Sequence, residues 1–193
     1  MIIHISGPSG SGKTYLGSRI KDVFGDKITI CDIDDLRTAF IKWFYMGKPF
    51  KKIDCLAYQK YINSYVVKHA YKPLVFVGLN VMPWWHPIYY DLHASHKFYI
   101  KIDYKKVLRQ RYGRAIQDLL DDDKSQHTQM LIKDNPKFLK NVAGWFAHEL
   151  SLKKLTEQSD MFATNYKKQK YTFASSNVIF NTVCKLLTAE LKK

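Results

Sequence analysis

Residues 7–14 read Gly7-Pro8-Ser9-Gly10-Ser11-Gly12-Lys13-Thr14, a stretch with three glycines and almost nothing to bury. Glycine loses the most backbone freedom on ordering and brings no side chain to a core, so something other than packing must hold this segment. Gly7, four residues, then Gly12-Lys13-Thr14 is the spacing of a loop whose backbone N–H groups wrap a phosphate while the lysine reaches the outer oxygens. The flanks suit that loop. Residues 2–6 predict a short buried strand, and Tyr15, Leu16, Ile20, Val23 and Phe24 recur at helical spacing up to Gly25, which predicts a helix over 13–24. The start of such a helix adds a positive partial charge to the loop. The competing nucleophile elbow, G-x-S-x-G, fails because Ser11 stands where its last glycine has to be.

With 193 residues, 46% of them hydrophobic, the chain fits one domain with a full core, and no proline- or glycine-rich linker divides it. No apolar run approaches the length of a membrane span, and the N-terminus enters a strand at once, so neither a span nor a signal peptide is expected. Cys31, Cys55 and Cys184 are isolated and odd in number, which predicts a reducing, cytoplasmic setting. The formal charge of +14 is compatible with nucleic acid, but the lysines are spread along the chain without a block of five or six. Arginine is the informative base here. It supplies five of the 31 basic residues, and three of these, Arg109, Arg111 and Arg114, fall within six positions.

Further strands are expected at 28–32, 73–79, 97–102 and 171–174. Helix is expected over 34–71, 103–119 and about 136–162, with a closing helix at the end. Strands alternating with helices predict a parallel sheet with covered faces. The apolar run Pro73-Leu74-Val75-Phe76-Val77 suits a strand buried on both sides. Phe138, Leu139, Val142, Trp145, Phe146 and Leu150 form the core stripe of the late helix.

Ligands of open parallel sheets bind beyond the carboxyl ends of the strands, and three constellations stand there. After the second strand comes Cys31-Asp32-Ile33-Asp34-Asp35-Leu36-Arg37. Asp32 suits a magnesium-bound water or a proton, and Asp34 suits an acceptor hydroxyl, with magnesium on the nucleotide phosphates and Thr14. Capping of the next helix by Asp34 or Asp35 is the structural alternative. Two carboxylates repel a monophosphate acceptor unless arginine compensates, so the pair favours a hydroxyl, with Arg37 left for a phosphate elsewhere on the acceptor. After the fourth strand comes Arg109-Gln110-Arg111-Tyr112-Gly113-Arg114, where Arg111 and Arg114 share a helix face suited to a transferring phosphoryl group. After the third strand, Asn80, Trp84, Trp85 and Tyr89 lie in an irregular aromatic segment that suggests a flat pocket for the acceptor.

GPSGSGKT, CDIDDLR and RQRYGR together resemble the P-loop small-molecule kinases of the adenylate kinase-like group. Within it they are most similar to the D-x-D branch of shikimate and gluconate kinases, zeta toxins and polynucleotide kinases. The resemblance covers the layout of the whole chain, and about twenty residues match motifs. It implies the three-layer α/β/α P-loop NTPase fold with a five-stranded parallel sheet in order 2-3-1-4-5, an acceptor-side helical segment about 34–72 and a helical lid about 109–128. It further implies ATP or GTP on Gly7, Ser9, Gly10, Ser11, Gly12, Lys13 and Thr14, with Mg2+ at Thr14 and Asp32. Asp32 and Asp34 would serve the acceptor side, and Arg111 and Arg114 the lid. The chain departs from the group at Val77-Gly78-Leu79-Asn80, which carries no Walker-B carboxylate. The expected activity is transfer of the γ-phosphate to a small hydroxyl-bearing or nucleotide-like acceptor. A nucleoside monophosphate kinase is one alternative. The other is a nucleotide-binding protein with little turnover that acts through its basic surface on a partner or nucleic acid.

Overall fold

The structure is a computed structural model that describes residues 1–46, 53–82, 88–111 and 151–193. Two compact units are distinguished. The first comprises residues 1–7, 12–101 and 166–193, and the second residues 8–11 and 102–165.

The first unit is α/β, built on a five-stranded parallel sheet. Its strands are β1 (Ile2–Ser6), β2 (Thr29–Asp32), β3 (Leu74–Val77), β6 (His96–Ile100) and β7 (Thr172–Ala174), in the order β2-β3-β1-β6-β7. This differs from the expected 2-3-1-4-5 labelling because a short antiparallel hairpin, β4 (Val81–Met82) with β5 (Ile88–Tyr89), intervenes in the chain. The hairpin occupies part of the segment expected to be irregular. All four residues of β3 are buried, as a strand flanked on both sides in the sheet requires.

Helix α1 (Lys13–Phe24) begins and ends between two glycines in positive-φ conformations, Gly12 (φ 83°) and Gly25 (φ 54°). Its buried stripe is Leu16, Gly17 and Ile20, whereas Tyr15 and Val23 are exposed, contrary to the expectation that they pack. Gly17 lets the helix approach the sheet: a Cβ there would meet Val77 Cγ1 at 3.1 Å and Ile30 Cγ2 at 3.4 Å. The helix expected over 34–71 is two helices among the described residues, α2 (Ile33–Phe44) and α3 (Cys55–Lys68). Asp54 starts the second by accepting the Ala57 N–H at 2.9 Å, a cap that ends any continuous reading. Phe40 is the hub between them, fully buried, with Phe44 and Tyr58 at ring-centroid distances of 5.0 Å each. Truncating such a side chain costs about 3–5 kcal/mol.

Helix α4 (Leu152–Lys168) delivers Tyr166 to this unit, and α5 (Ser176–Glu190) buries Ile179, Val183 and Leu187. Arg19 of α1 lies 4.2 Å from the ring centre of Phe180, joining α1 to α5. In the second unit, residues 104–111 are helical, with Val107 buried. The expected core stripe from Phe138 to Leu150 and most of the expected lid lie outside the described residues. Among the described residues, no helix is long and apolar enough to cross a membrane.

Candidate functional site

The glycine-rich loop leaves β1 at Ser6 and enters α1 at Lys13. Gly10 (φ 81°) and Gly12 (φ 83°) both occupy the left-handed region, which costs an L-residue about 1–2 kcal/mol. The Ser11 N–H closes a turn on the Pro8 carbonyl at 3.0 Å. Ser11 is buried, and its hydroxyl finds no hydrogen-bond partner among the described residues. A hydroxyl in that state is a donor held ready for an acceptor oxygen. Lys13 Nζ donates to the Gly7 carbonyl at 3.1 Å, which turns the ammonium back along the loop.

Asp32 is the last residue of β2 and makes two contacts. Its Oδ1 accepts the Asp34 N–H at 2.9 Å, so Asp32 itself caps α2. This corrects the expectation that a cap would fall on Asp34 or Asp35, which instead lie in the first turn. Its Oδ2 accepts from the Thr14 hydroxyl at 3.0 Å. The proposed metal pair is therefore brought together, with two hard oxygen donors side by side. Asp34, with its side chain 73% exposed, pairs with Arg37 Nη1 at 3.0 Å. Arg37 Nη2 in turn donates to the Leu79 carbonyl at 3.2 Å.

Asn80 is buried with both ends of its amide engaged: Nδ2 donates to the Tyr90 carbonyl and Oδ1 accepts from Tyr166 OH, each at 2.7 Å. Tyr89 is half-buried and meets the Tyr166 ring edge-on at 5.4 Å. Trp84, Trp85 and Arg114 lie outside the described residues. In the second unit, Arg111 is buried and its Nε donates to the Ser9 carbonyl at 3.1 Å. Its stem also limits the loop, since a Cβ on Gly10 would come within 3.1 Å of Arg111 Cγ.

A group that sequence reasoning missed lies one strand inward. His4 on β1 is fully buried, with Nε2 3.0 Å from the Gly78 carbonyl and Nδ1 2.5 Å from Tyr171 OH. A carbonyl only accepts, so Nε2 carries the proton and Nδ1 accepts from the tyrosine. Burial is the main cause that pulls the imidazole pKa from 6.5 down to about 4, keeping it neutral. The same cause raises the phenol of Tyr171 well above its ordinary range.

An open groove of about 480 Å3 runs from Thr14 and Asp32 along α1 and β2 to Lys21 and Lys72. Both lysines are engaged at its far end, Lys21 with the Asp26 carboxylate and Lys72 with the Asp26 carbonyl, each at 3.0 Å. Among the described residues, no group of three or more His, Cys, Asp or Glu side chains is arranged to hold a metal ion.

No protein-family model and no curated protein matches the chain. Among solved structures it is similar to one described as "Crystal structure of APE1195", with 17% identity and a TM-score of 0.40, covering 69% of this chain and 77% of that one.

Proposed function

We propose that this chain is a P-loop phosphotransferase of three-layer α/β/α architecture, moving the γ-phosphate of ATP or GTP to a small hydroxyl-bearing or nucleotide-like acceptor. The observation that carries this reading is the 3.0 Å contact between Thr14 and Asp32. It joins the hydroxyl that follows the loop lysine to a carboxylate at a strand end, in a chain whose third strand offers no acid. Mg2+ keeps several waters and takes one or two carboxylates plus substrate phosphates, so two oxygen donors at the loop fit it. Thr14 and Asp32 would hold it, and its charge would screen the phosphates during transfer.

The loop residues have distinct tasks in this reading. Gly10 and Gly12 turn the backbone as a phosphate cradle requires, and the Ser11 hydroxyl has an unmet donor to offer. Lys13 neutralises the outer phosphates. On the acceptor side, the hydroxyl oxygen attacks the γ-phosphorus, its proton passes to a carboxylate of the Asp32-Asp34 pair, and the nucleoside diphosphate, ADP or GDP, leaves. Arg37 holds Asp34 in place for that role. Arg111 supplies a planar charged fork beside the loop backbone at Ser9.

The test is an ADP-release screen over nucleosides, nucleotides, sugars and 5′-hydroxyl oligonucleotides, run with wild type and Lys13→Ala. Acceptor-stimulated release is expected in wild type and not in the variant, whose melting temperature stays within a few degrees because Lys13 lies at the end of a loop outside the buried hydrophobic core. Nucleotide binding without release for any acceptor would make the chain a binder. Stimulation by monophosphates alone would make it a nucleoside monophosphate kinase.

A further inference from the structure

The segment that leaves β3 carries no acid, yet it is held from several sides. The Gly78 N–H donates to the Ile5 carbonyl at 3.1 Å, and the Gly78 carbonyl accepts from His4. One residue on, the Leu79 carbonyl accepts from Arg37, whose other nitrogen grips Asp34. Asn80 is tied to Tyr90 and Tyr166. Gly78 itself has φ 129°, and a Cβ there would stand 3.0 Å from the Cβ of Ile33, the first residue of α2.

A glycine at positive φ leaves the direction of its following peptide weakly specified, because no side chain restricts it. That peptide sets the orientation in which Leu79 begins and so contributes to where the Leu79 carbonyl, on the next peptide, meets Arg37. We propose that His4 is a positioning residue. Held in one tautomer by Tyr171, it fixes the Gly78–Leu79 peptide, and through the Leu79 carbonyl and Arg37 it sets the direction of the Asp34 carboxylate. The structure thus assigns a polar residue in a central strand, 0% exposed, to a contact relay that ends at a carboxylate 73% exposed. Its meaning for catalysis rests on the phosphotransfer reading, whereas the relay itself does not.

The experiment compares His4→Leu, His4→Gln and Tyr171→Phe with wild type. The glutamine amide nitrogen stands as many bonds from Cα as His4 Nε2, so it restores the donor to Gly78; leucine does not. In ligand-free protein, NMR reads the rotation of the Arg37 guanidinium about its Cζ–Nε bond. His4→Leu is expected to speed that rotation at least fivefold, and His4→Gln to leave it within twofold of wild type. Tyr171→Phe removes the donor to Nδ1, so the imidazole nitrogen shifts report a second tautomer and the Arg37 rotation again speeds up. If His4→Leu does not fold, the tyrosine variant gives the same reading. Unchanged Arg37 rotation in the variants that lose the His4 contact or its tautomer overturns the relay.

With an acceptor identified, His4→Leu should raise the acceptor KM at least threefold while the ATP KM moves less than twofold, and His4→Gln should rescue it. Equal loss in leucine and glutamine variants overturns the positioning role. Because the NMR reading needs no turnover, a protein without transferase activity but with the expected Arg37 response refutes the phosphotransfer reading alone.

Discussion

The Thr14 hydroxyl donates to Oδ2 of Asp32 at 3.0 Å, joining the first turn of α1 to the end of β2 through two side chains eighteen residues apart. The same aspartate caps α2 with its other oxygen. One residue therefore makes two distinct contacts, and the cap can be separated by substitution from the chemical task proposed for it.

Asp32→Asn is expected to keep the cap, since asparagine caps a helix as well as aspartate does. In the phosphotransfer reading proposed above, it removes the charge that Mg2+ and a departing proton would need. Turnover should fall roughly 10²-fold or more, with the unfolding free energy hardly altered. Asp32→Ala should lose about 1 kcal/mol of stability in addition. Urea denaturation and ADP release on both variants check this; equal activity of Asp32→Asn and wild type would leave Asp32 a cap only.

The buried imidazole makes stability depend on pH in a defined direction. Burial brings the His4 pKa down to about 4 in the folded chain from the ordinary 6.5, so between these pH values the unfolded chain binds the extra proton. Stability therefore falls as pH drops from about 6.5 to about 4 and then levels off for this group, a loss of about 3 kcal/mol in all. His4→Gln, which has no proton to gain, should flatten that part of the profile. Chemical denaturation at intervals across this range measures it, and an unchanged slope in the variant would assign the acid sensitivity to other groups.

The two left-handed loop glycines are constrained differently. At Gly12 a Cβ would meet nothing within 4 Å, so Gly12→Ala bears only the backbone cost of about 1–2 kcal/mol. At Gly10 the added carbon would also press on the Arg111 stem. Gly10→Ala should thus be the more harmful, and Arg111→Ala should relieve part of the damage. A double-mutant cycle is expected to show coupling of about 0.5 kcal/mol or more between positions 10 and 111, and strict additivity would place the cost in the backbone alone.

How far these relations were legible in the sequence depended on their range. The span of α1 was readable because Gly12 and Gly25 mark both ends, and the strand around Val75 because its apolar run is continuous. Tyr15 and Val23 fit the helical spacing but face outward, since periodicity does not say which part of an apolar stripe the sheet covers. The break after α2 was hidden by Trp43-Phe44-Tyr45, which carries the apolar pattern past the helix end; Asp54, as a cap, was the signal that marks the restart. A single histidine in β1 gives no sign of Tyr171, 167 residues away. Likewise, Arg37 and the Leu79 carbonyl, 42 residues apart, meet only because β2 and β3 are neighbours.

Among the described residues, strand β2 lies at one margin of the sheet and pairs with β3 alone. A strand with a single ladder opens at lower free energy than one held on both sides. Asp32 ends that strand, and Thr14 tethers it to a helix. A ligand that grips both side chains would act as a clasp on the margin, so occupancy of the loop and fraying of β2 become opposite readings of one equilibrium. The backbone amide of Thr29, which donates to the Pro73 carbonyl at 2.9 Å, would then serve as a built-in reporter, exchanging more slowly with solvent as the loop fills, whatever the acceptor is.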